Sequence, residues 1–344
     1  MTHILNNAKT VFRASTLSAL TAITLLGMPM TSHGSSNIDV LQPGKYVENL
    51  AYKRYTEPYV LQRLTERTYM VSVSTHNATF YVSDKGVIVF DPLAYGYGEK
   101  VLEAIATVTD LPVTALVYSH YHLDHLGDAH IFVDAAKEKG IDLRVIASAA
   151  VANQVEKYGN VIPVPTDVIQ EDPGSFTFDG LNVRVELSKD THSIDNTMFL
   201  LEQEKVLHYL DTVEPEDLLP YFRLVGILDI APMEEALRHV QTLDWKFLNA
   251  GHSNIGYRQD IDKHLELVKD IRSSTGAAMG KVSFEQYIDP KADVTVWINN
   301  FHNAVADEAL EELREKYGKH PRFDSVMRSH VEVMISNLSY YQAH

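Results

Sequence analysis

SHYHLDHLGD, residues 119–128, holds three histidines and two aspartates in ten positions. Directly ahead of it runs VTALVYS (113–119), an apolar, β-branched stretch of the kind that forms a buried strand. A strand that delivers the chain into such a cluster puts imidazoles and carboxylates at a sheet edge, where several can reach one ion. Neutral imidazole and carboxylate are the donors for zinc, iron or manganese at a hydrolytic site. If the chain leaves the strand as a turn, His120 and His122 can face one ion while Asp124 and His125 face a second. The bland alternative is a solvated, histidine-rich loop.

One loop cannot fill the coordination of two ions, so further donors are expected at other strand ends. His192 lies in a polar turn in LSKDTHSIDNTMFLL, Asp211 ends the strand-like VLHYLD, and His252 follows a short apolar run in KFLNAGHSNIG. Taken singly each reads as structural; their shared placement after strands makes them candidate ligands. His76, in STHNATF, falls between strands and is expected as a turn histidine, with a place at the site mouth as its other reading. His130 and His208 read as structural residues of a helix and a strand, and Arg223 as a surface residue.

Strand signals recur through the first two thirds of the chain: TYMVSVST, ATFYVSD, GVIVFDP, LRVIAS, SFTFD, LNVRVEL and TMFLLEQ join those already quoted. Residues 97–108 and DAHIFVDAAKEKG carry helical spacing. At least nine strand candidates with interspersed helices imply an α/β protein with two sheets. After residue 256 the pattern turns helical, in DIDKHLELVKDIRSSTGAAM, VADEALEELREKYGKH and the tail from Arg322. That organisation gives residues 35–64 as an irregular lead-in, 65–256 as the catalytic part and 257–344 as a helical extension packed against it.

Residues 1–34 contain Lys9 and Arg13, no acid, the apolar run LSALTAITLLGMPM and then Ser32 and Gly34. A basic start, a short apolar core and a small-residue exit make a secretory signal peptide, so the expected location is periplasmic or secreted. The run is shorter than the roughly 20 residues that span a bilayer, so no stable membrane insertion is expected after processing. Its removal takes the formal charge from −16 to about −18, which repels phosphate backbones and counts against nucleic acid as a partner. The chain has no cysteine, which excludes thiolate metal sites and cysteine nucleophiles. Oligomeric state is not readable.

The order HxHxDH (120–125), His192, Asp211 and His252, with GVIVFDP carrying Asp91 ahead of it, resembles the metallo-β-lactamase superfamily over roughly residues 65–256. The resemblance implies an αββα sandwich of two mixed sheets flanked by helices, with the site on one edge. It implies that His120, His122 and His192 hold one divalent metal, that Asp124, His125 and His252 hold a second, and that Asp211 bridges them; zinc is the expected metal. Asp91 would brace the loop. The chain departs from the family at Asp128, where glycine or asparagine is usual, which would add a carboxylate beside the metals.

Two ions roughly 3.5–4 Å apart bring a shared water to a pKa near 7, and Asp124 can orient that nucleophile and pass its proton to the leaving group. The expected activity is therefore metal-dependent hydrolysis of a small molecule: an ester, lactone or amide/lactam carbonyl attacked by a metal-bound hydroxide. Asp211 sets the chain apart from dedicated β-lactamases of the family, which usually carry cysteine or serine there. Aromatic segments near the site, LAYGYG with Tyr95 and Tyr97 and LLPYFRLVG with Tyr221 and Phe222, would wall a pocket or pack in the core. The alternatives are a β-lactamase proper, an iron-containing redox member of the fold, and a non-catalytic scaffold. No rubredoxin-type cysteine cluster supports the second, and a full ligand set argues against the third.

Overall fold

Eight strands form the first sheet of the computed structural model, which describes residues 39–159, 161–216 and 219–341. In spatial and chain order they are β1 (Asp39–Val40), β2 (Val60–Arg63), β3 (Thr68–Val73), β4 (His76–Val82), β5 (Val87–Phe90), β6 (Val113–Tyr118), β7 (Arg144–Ser148) and β8 (Asp167–Ile169). β2 through β5 pair antiparallel, whereas β1–β2 and β5 through β8 pair parallel. The second sheet has β9 (Gly174–Phe178), β10 (Leu181–Leu187), β11 (Thr197–Leu201), β12 (Val206–His208) and β13 (Phe247–Asn249), in the order β13-β12-β11-β10-β9. Only β12–β13 is parallel.

Strand periodicity decides the layering. Along β5 and β6, Ile88, Phe90, Ala115 and Val117 turn one way, and meet Phe176, Val183, Phe199 and Val206 of the second sheet. Their alternates Val87, Val89, Leu116 and Tyr118 turn outward beneath α2 (Tyr97–Ala106), α4 (Ala129–Glu138) and α5 (Ala149–Lys157) through Val101, Phe132 and Val151. The outer face of the second sheet, with Leu200, Leu207, Tyr209 and Leu248, is covered by α7 (Ile230–Val240), α8 (Arg258–Lys281), α9 (Val294–Tyr317) and α10 (Phe323–Tyr340). A side-chain period of two thus yields buried apolar surface on both faces of each sheet. The result is the expected αββα sandwich with a helical C-terminal region.

Three points differ from the sequence reading. The stretch taken as an irregular lead-in supplies β1, β2 and α1 (Leu50–Thr56). Its polar residues hid this because β1 is a two-residue edge strand, β2 is only four residues long, and Tyr52 and Tyr55 of α1 are exposed. The helices α5 and α7, capped by Ser148 and Asp229, were likewise not anticipated. His76 belongs to no turn: it opens β4 and is buried. The segment 1–34, expected to be a signal peptide, lies outside the described residues, and among those described no helix is long and apolar enough to cross a membrane.

Candidate metal centre

The chain leaves β6 into the short helix α3 (Leu123–Leu126), with His122 still extended at φ −117° as the residue before it. That bend separates His120 and His122, on the strand exit, from Asp124 and His125 on the helical turn. Asp91, fully buried after β5, holds the bend in place. Its carboxylate accepts from the Ser119 N–H at 2.9 Å and from His208 Nε2–H at 2.9 Å across the two sheets. Burial alone would raise the Asp91 carboxyl; the His208 hydrogen bond and charge outweigh it and keep the acid below its ordinary range. His208 is therefore structural, but its partner is a group that positions the motif.

All seven candidate ligands converge. His120, His122, His192 and Asp211 form one group whose donor atoms lie within 4.8 Å of one another, and His125, Asp211 and His252 form a second. Asp211 Oδ2 stands 3.4 Å from His120 Nε2, 3.4 Å from His192 Nε2 and 3.1 Å from His125 Nε2, while its Oδ1 is 3.3 Å from His252 Nε2. Asp124 Oδ2 lies 3.6 Å from His125 and 3.7 Å from His252. Donors around a tetrahedral zinc, each about 2.0–2.1 Å from the ion, are themselves about 3.3 Å apart, so these spacings suit shared cations.

Ring orientation comes from the atoms behind the site. Ser119 Oγ meets His120 Nδ1 at 2.9 Å, the Thr75 carbonyl accepts from His252 Nδ1–H at 3.0 Å, and the Val225 carbonyl accepts from His192 Nδ1–H at 2.7 Å. Each contact turns the opposite nitrogen, Nε2, inward, the usual way a metal-binding imidazole is aimed. His120 Nε2 and Asp211 Oδ1 are buried without a hydrogen-bond partner, a costly state that a cation would relieve. Gly251 makes room for the bridge: at φ 94°, a Cβ built on it would fall 2.6 Å from Asp211 Oδ1.

The electrostatics call for positive charge. Burial would raise Asp211, yet the charges of His125, His252 and His192 hold it well below the carboxylate range. Burial, with the neighbouring His120 and His192 rings, pushes His122 down to about 3. Burial likewise takes His252 down to about 4 and lowers His192. Neutral imidazole is the form that binds metal. Burial opposes a proton on His125, but Asp211 and Asp124 beside it raise it to about 9. Two carboxylates thus hold one proton where a divalent ion fits better.

His76, expected first as a turn histidine, takes the other reading and stands at the centre. Its Nε2 is 3.5 Å from Asp124 Oδ2, and with Asp124 and His252 it forms a third group of potential ligands. Tyr95 and Tyr97 pack against its ring, with centroids 6.0 and 5.9 Å away. Asp128, by contrast, is engaged elsewhere: its carboxylate accepts the Gly98 N–H at 2.8 Å at the start of α2. Arg223 is exposed beside Phe222. The arginine that does line the pocket is Arg322, paired there with Glu214 at 2.9 Å. Beside the ligands opens a cavity of about 900 Å³, walled by Val213, Tyr221, Phe222, Val225 and, from α10, Val326. Nothing in the sequence near the motif announces Arg322 or Val326, which lie about 200 residues downstream.

The sequence profile of the metallo-beta-lactamase superfamily matches residues 71–226, the segment from β3 to the pocket wall. Over that segment the chain is similar to the metallo-beta-lactamase superfamily. Solved metallo-beta-lactamases share the fold: that of Pontibacter korlensis is 19% identical with a TM-score of 0.50, and covers 61% of this chain and 98% of its own. The metallo-beta-lactamase IND-7 aligns at 19% identity and TM-score 0.51, covering 61% of this chain and 98% of its own. Among curated proteins, the atrochrysone carboxyl ACP thioesterase of Aspergillus fumigatus is 25% identical over 172 residues, 48% of each chain. An (R)-specific secondary-alkylsulfatase of a Pseudomonas species is 24% identical over 264 residues, 65% of this chain and 37% of that one. The chain thus spans half or less of the length of these curated relatives.

Proposed function

We propose that the protein is a dinuclear, metal-dependent hydrolase, with zinc as its metal, that cleaves an ester, thioester, lactone or lactam bearing an apolar group. The observation that carries this reading is Asp211, whose two oxygens face His120, His125, His192 and His252 at 3.1–3.4 Å. His120, His122 and His192 would hold one ion, Asp124, His125 and His252 the other, with Asp211 between them. When bound, the pair supplies a water activated at neutral pH and a Lewis acid for the electrophile.

The chain's own residues do the rest. Asp124 is partly open to the cavity and, although burial pushes it up, His76 and the His125 charge keep it ionised below the usual range. It can accept the nucleophile's proton and return it to the leaving oxygen, sulfur or nitrogen. The apolar wall of Val213, Tyr221, Phe222, Val225 and Val326 excludes water and receives an acyl or alkyl group. An alkyl sulfate ester is a second reading, favoured by the length of the match to the alkylsulfatase and by Arg322 at the cavity.

The deciding experiment assays the zinc-loaded chain, with a chelated control, against acyl thioesters, aryl esters, lactones, alkyl sulfates and nitrocefin. Turnover restored by zinc on an apolar ester or thioester supports the proposal; no metal-dependent turnover on any member refutes it. Export belongs to the same proposal: the native protein's N-terminus should fall within a few residues of Ser35, and a native chain starting at Met1 would sink it.

A further inference from the structure

Arg223, Leu224 and Val225 all hold left-handed backbone angles, φ 52°, 54° and 63°, and Gly226 continues at 69°. They make up most of α6 (Phe222–Gly226). This region crowds a side chain's Cβ against the backbone, most severely for β-branched valine. Such a run stands only where its surroundings over-determine it.

What fixes it is α10. Arg223 N–H donates to Ser329 Oγ at 3.0 Å and Leu224 N–H to His330 Nδ1 at 3.0 Å. His330 Nε2–H donates to the Pro220 carbonyl at 3.1 Å, so one imidazole clasps both sides of the turn. His330 is completely buried, and burial, with His264 nearby, pushes it down to about 3. A neutral ring with one donor and one acceptor is the form these two bonds require.

From this turn the metal centre is one hydrogen bond away. The Val225 carbonyl accepts from His192 Nδ1–H at 2.7 Å, leaving His192 Nε2 toward Asp211. Tyr221, Phe222 and Val225 of the same segment wall the cavity. Ser329 and His330 lie beyond the family-matched residues 71–226.

We propose that His330, assisted by Ser329, is a positioning residue that fixes the left-handed turn and, through the Val225 carbonyl, the orientation of His192 and the apolar cavity wall. The C-terminal helix thereby acts on the metal group of His120, His122 and His192 without contacting it. The inference rests on His192 being a ligand, as proposed above.

The test uses the full chain and the variants His330→Leu, which removes both bonds, His330→Asn, which keeps an acceptor near Nδ1, and Ser329→Ala. Val331→Ala, a buried change in the same helix, controls for lost packing. In ¹⁵N-histidine spectra of the metal-free protein, the His192 Nδ1–H should give a protected signal, assigned by its loss in His192→Gln. That signal should weaken or vanish in His330→Leu and Ser329→Ala and persist in Val331→Ala. Zinc affinity of the His192 group should fall about 10–100-fold in His330→Leu, the usual effect of losing support behind a ligand, and less in His330→Asn. If His330→Leu does not fold, the other two variants decide by the same measures. Folded variants that keep the signal and the parent affinity overturn the proposal. An unmodified chain that binds no metal would refute the dinuclear reading instead, and the metal-free spectra would still judge the role of His330.

Discussion

Gly251→Ala should disable the centre by pushing on its bridge. The added Cβ would lie 2.6 Å from Asp211 Oδ1 and 3.4 Å from His125 Cε1, in a backbone conformation, φ 94°, that disfavours any side chain. Ordinary contact needs roughly 3.5 Å, so the carboxylate must retreat by about 0.9 Å. Asp211 faces four imidazoles, so both metal groups lose register together. The left-handed backbone costs about 1–2 kcal/mol in the metal-free protein, a few degrees of Tm. A 100-fold weaker zinc affinity would remove about 2.7 kcal/mol of zinc-dependent stabilisation at a fixed excess of metal. Thermal unfolding of metal-free and zinc-loaded protein, with elemental analysis, separates the two effects. A Gly251→Ala protein that holds two ions per chain with the parent's affinity would refute the bridging role of Asp211.

Asp124→Asn, assayed at saturating zinc, should retain bound metal but lose on the order of 10²–10⁴ in kcat, as expected for a lost proton acceptor; parental kcat would remove Asp124 from proton transfer. His76→Phe keeps a ring against Tyr95 and Tyr97 but drops the nitrogen 3.5 Å from Asp124. It should lower kcat or second-site zinc affinity by about tenfold, within the range seen on losing support behind a ligand, and a protein unchanged in both would make His76 a packing residue. His264 and His330 are buried and held near 4 and 3, below an unfolded value of 6.5. The unfolded chain therefore binds more protons below pH 6.5, and the stability these rings contribute is full above that pH and falls as acid is added toward their folded values. Between pH 7 and pH 5 each should remove about 2 kcal/mol. Urea unfolding of His264→Leu at the two pH values should show a smaller drop than the parent; an equal drop would show that His264 does not contribute.

The sandwich was legible because β5 and β6 are short, β-branched runs buried on both faces, and because HxHxDH packs its donors into adjacent positions. Where the chemistry depends on distant partners, that signal disappears. His76 is one histidine at the start of a strand, and its meeting with Asp124 depends on where β4 ends relative to α3. Asp128 looked like an extra carboxylate near the ions because sequence proximity does not report that its side chain turns back to Gly98. The left-handed turn at FRLVG offers no asparagine or aspartate and only one glycine, so its conformation is imposed by Ser329 and His330 from a helix more than 100 residues away. The short strands β1, at the sheet edge, and β2 beside it sit in a polar stretch that shows little periodicity.

The candidate ligands arrive in instalments along the chain: His120 to His125 from the first sheet, His192 from a loop, then Asp211 and His252 from strand ends of the second. Neither sheet alone carries a complete pair of sites. Metal uptake would thus be a late event that reports on closure of the two halves, and a ribosome-bound chain could not complete both groups until residue 252 has emerged. Ions held by these groups would rivet the two sheets along one rim. Chelation should therefore reach beyond catalysis, raising hydrogen exchange at the ends of β6, β12 and β13 while leaving the sealed apolar layer between the sheets protected.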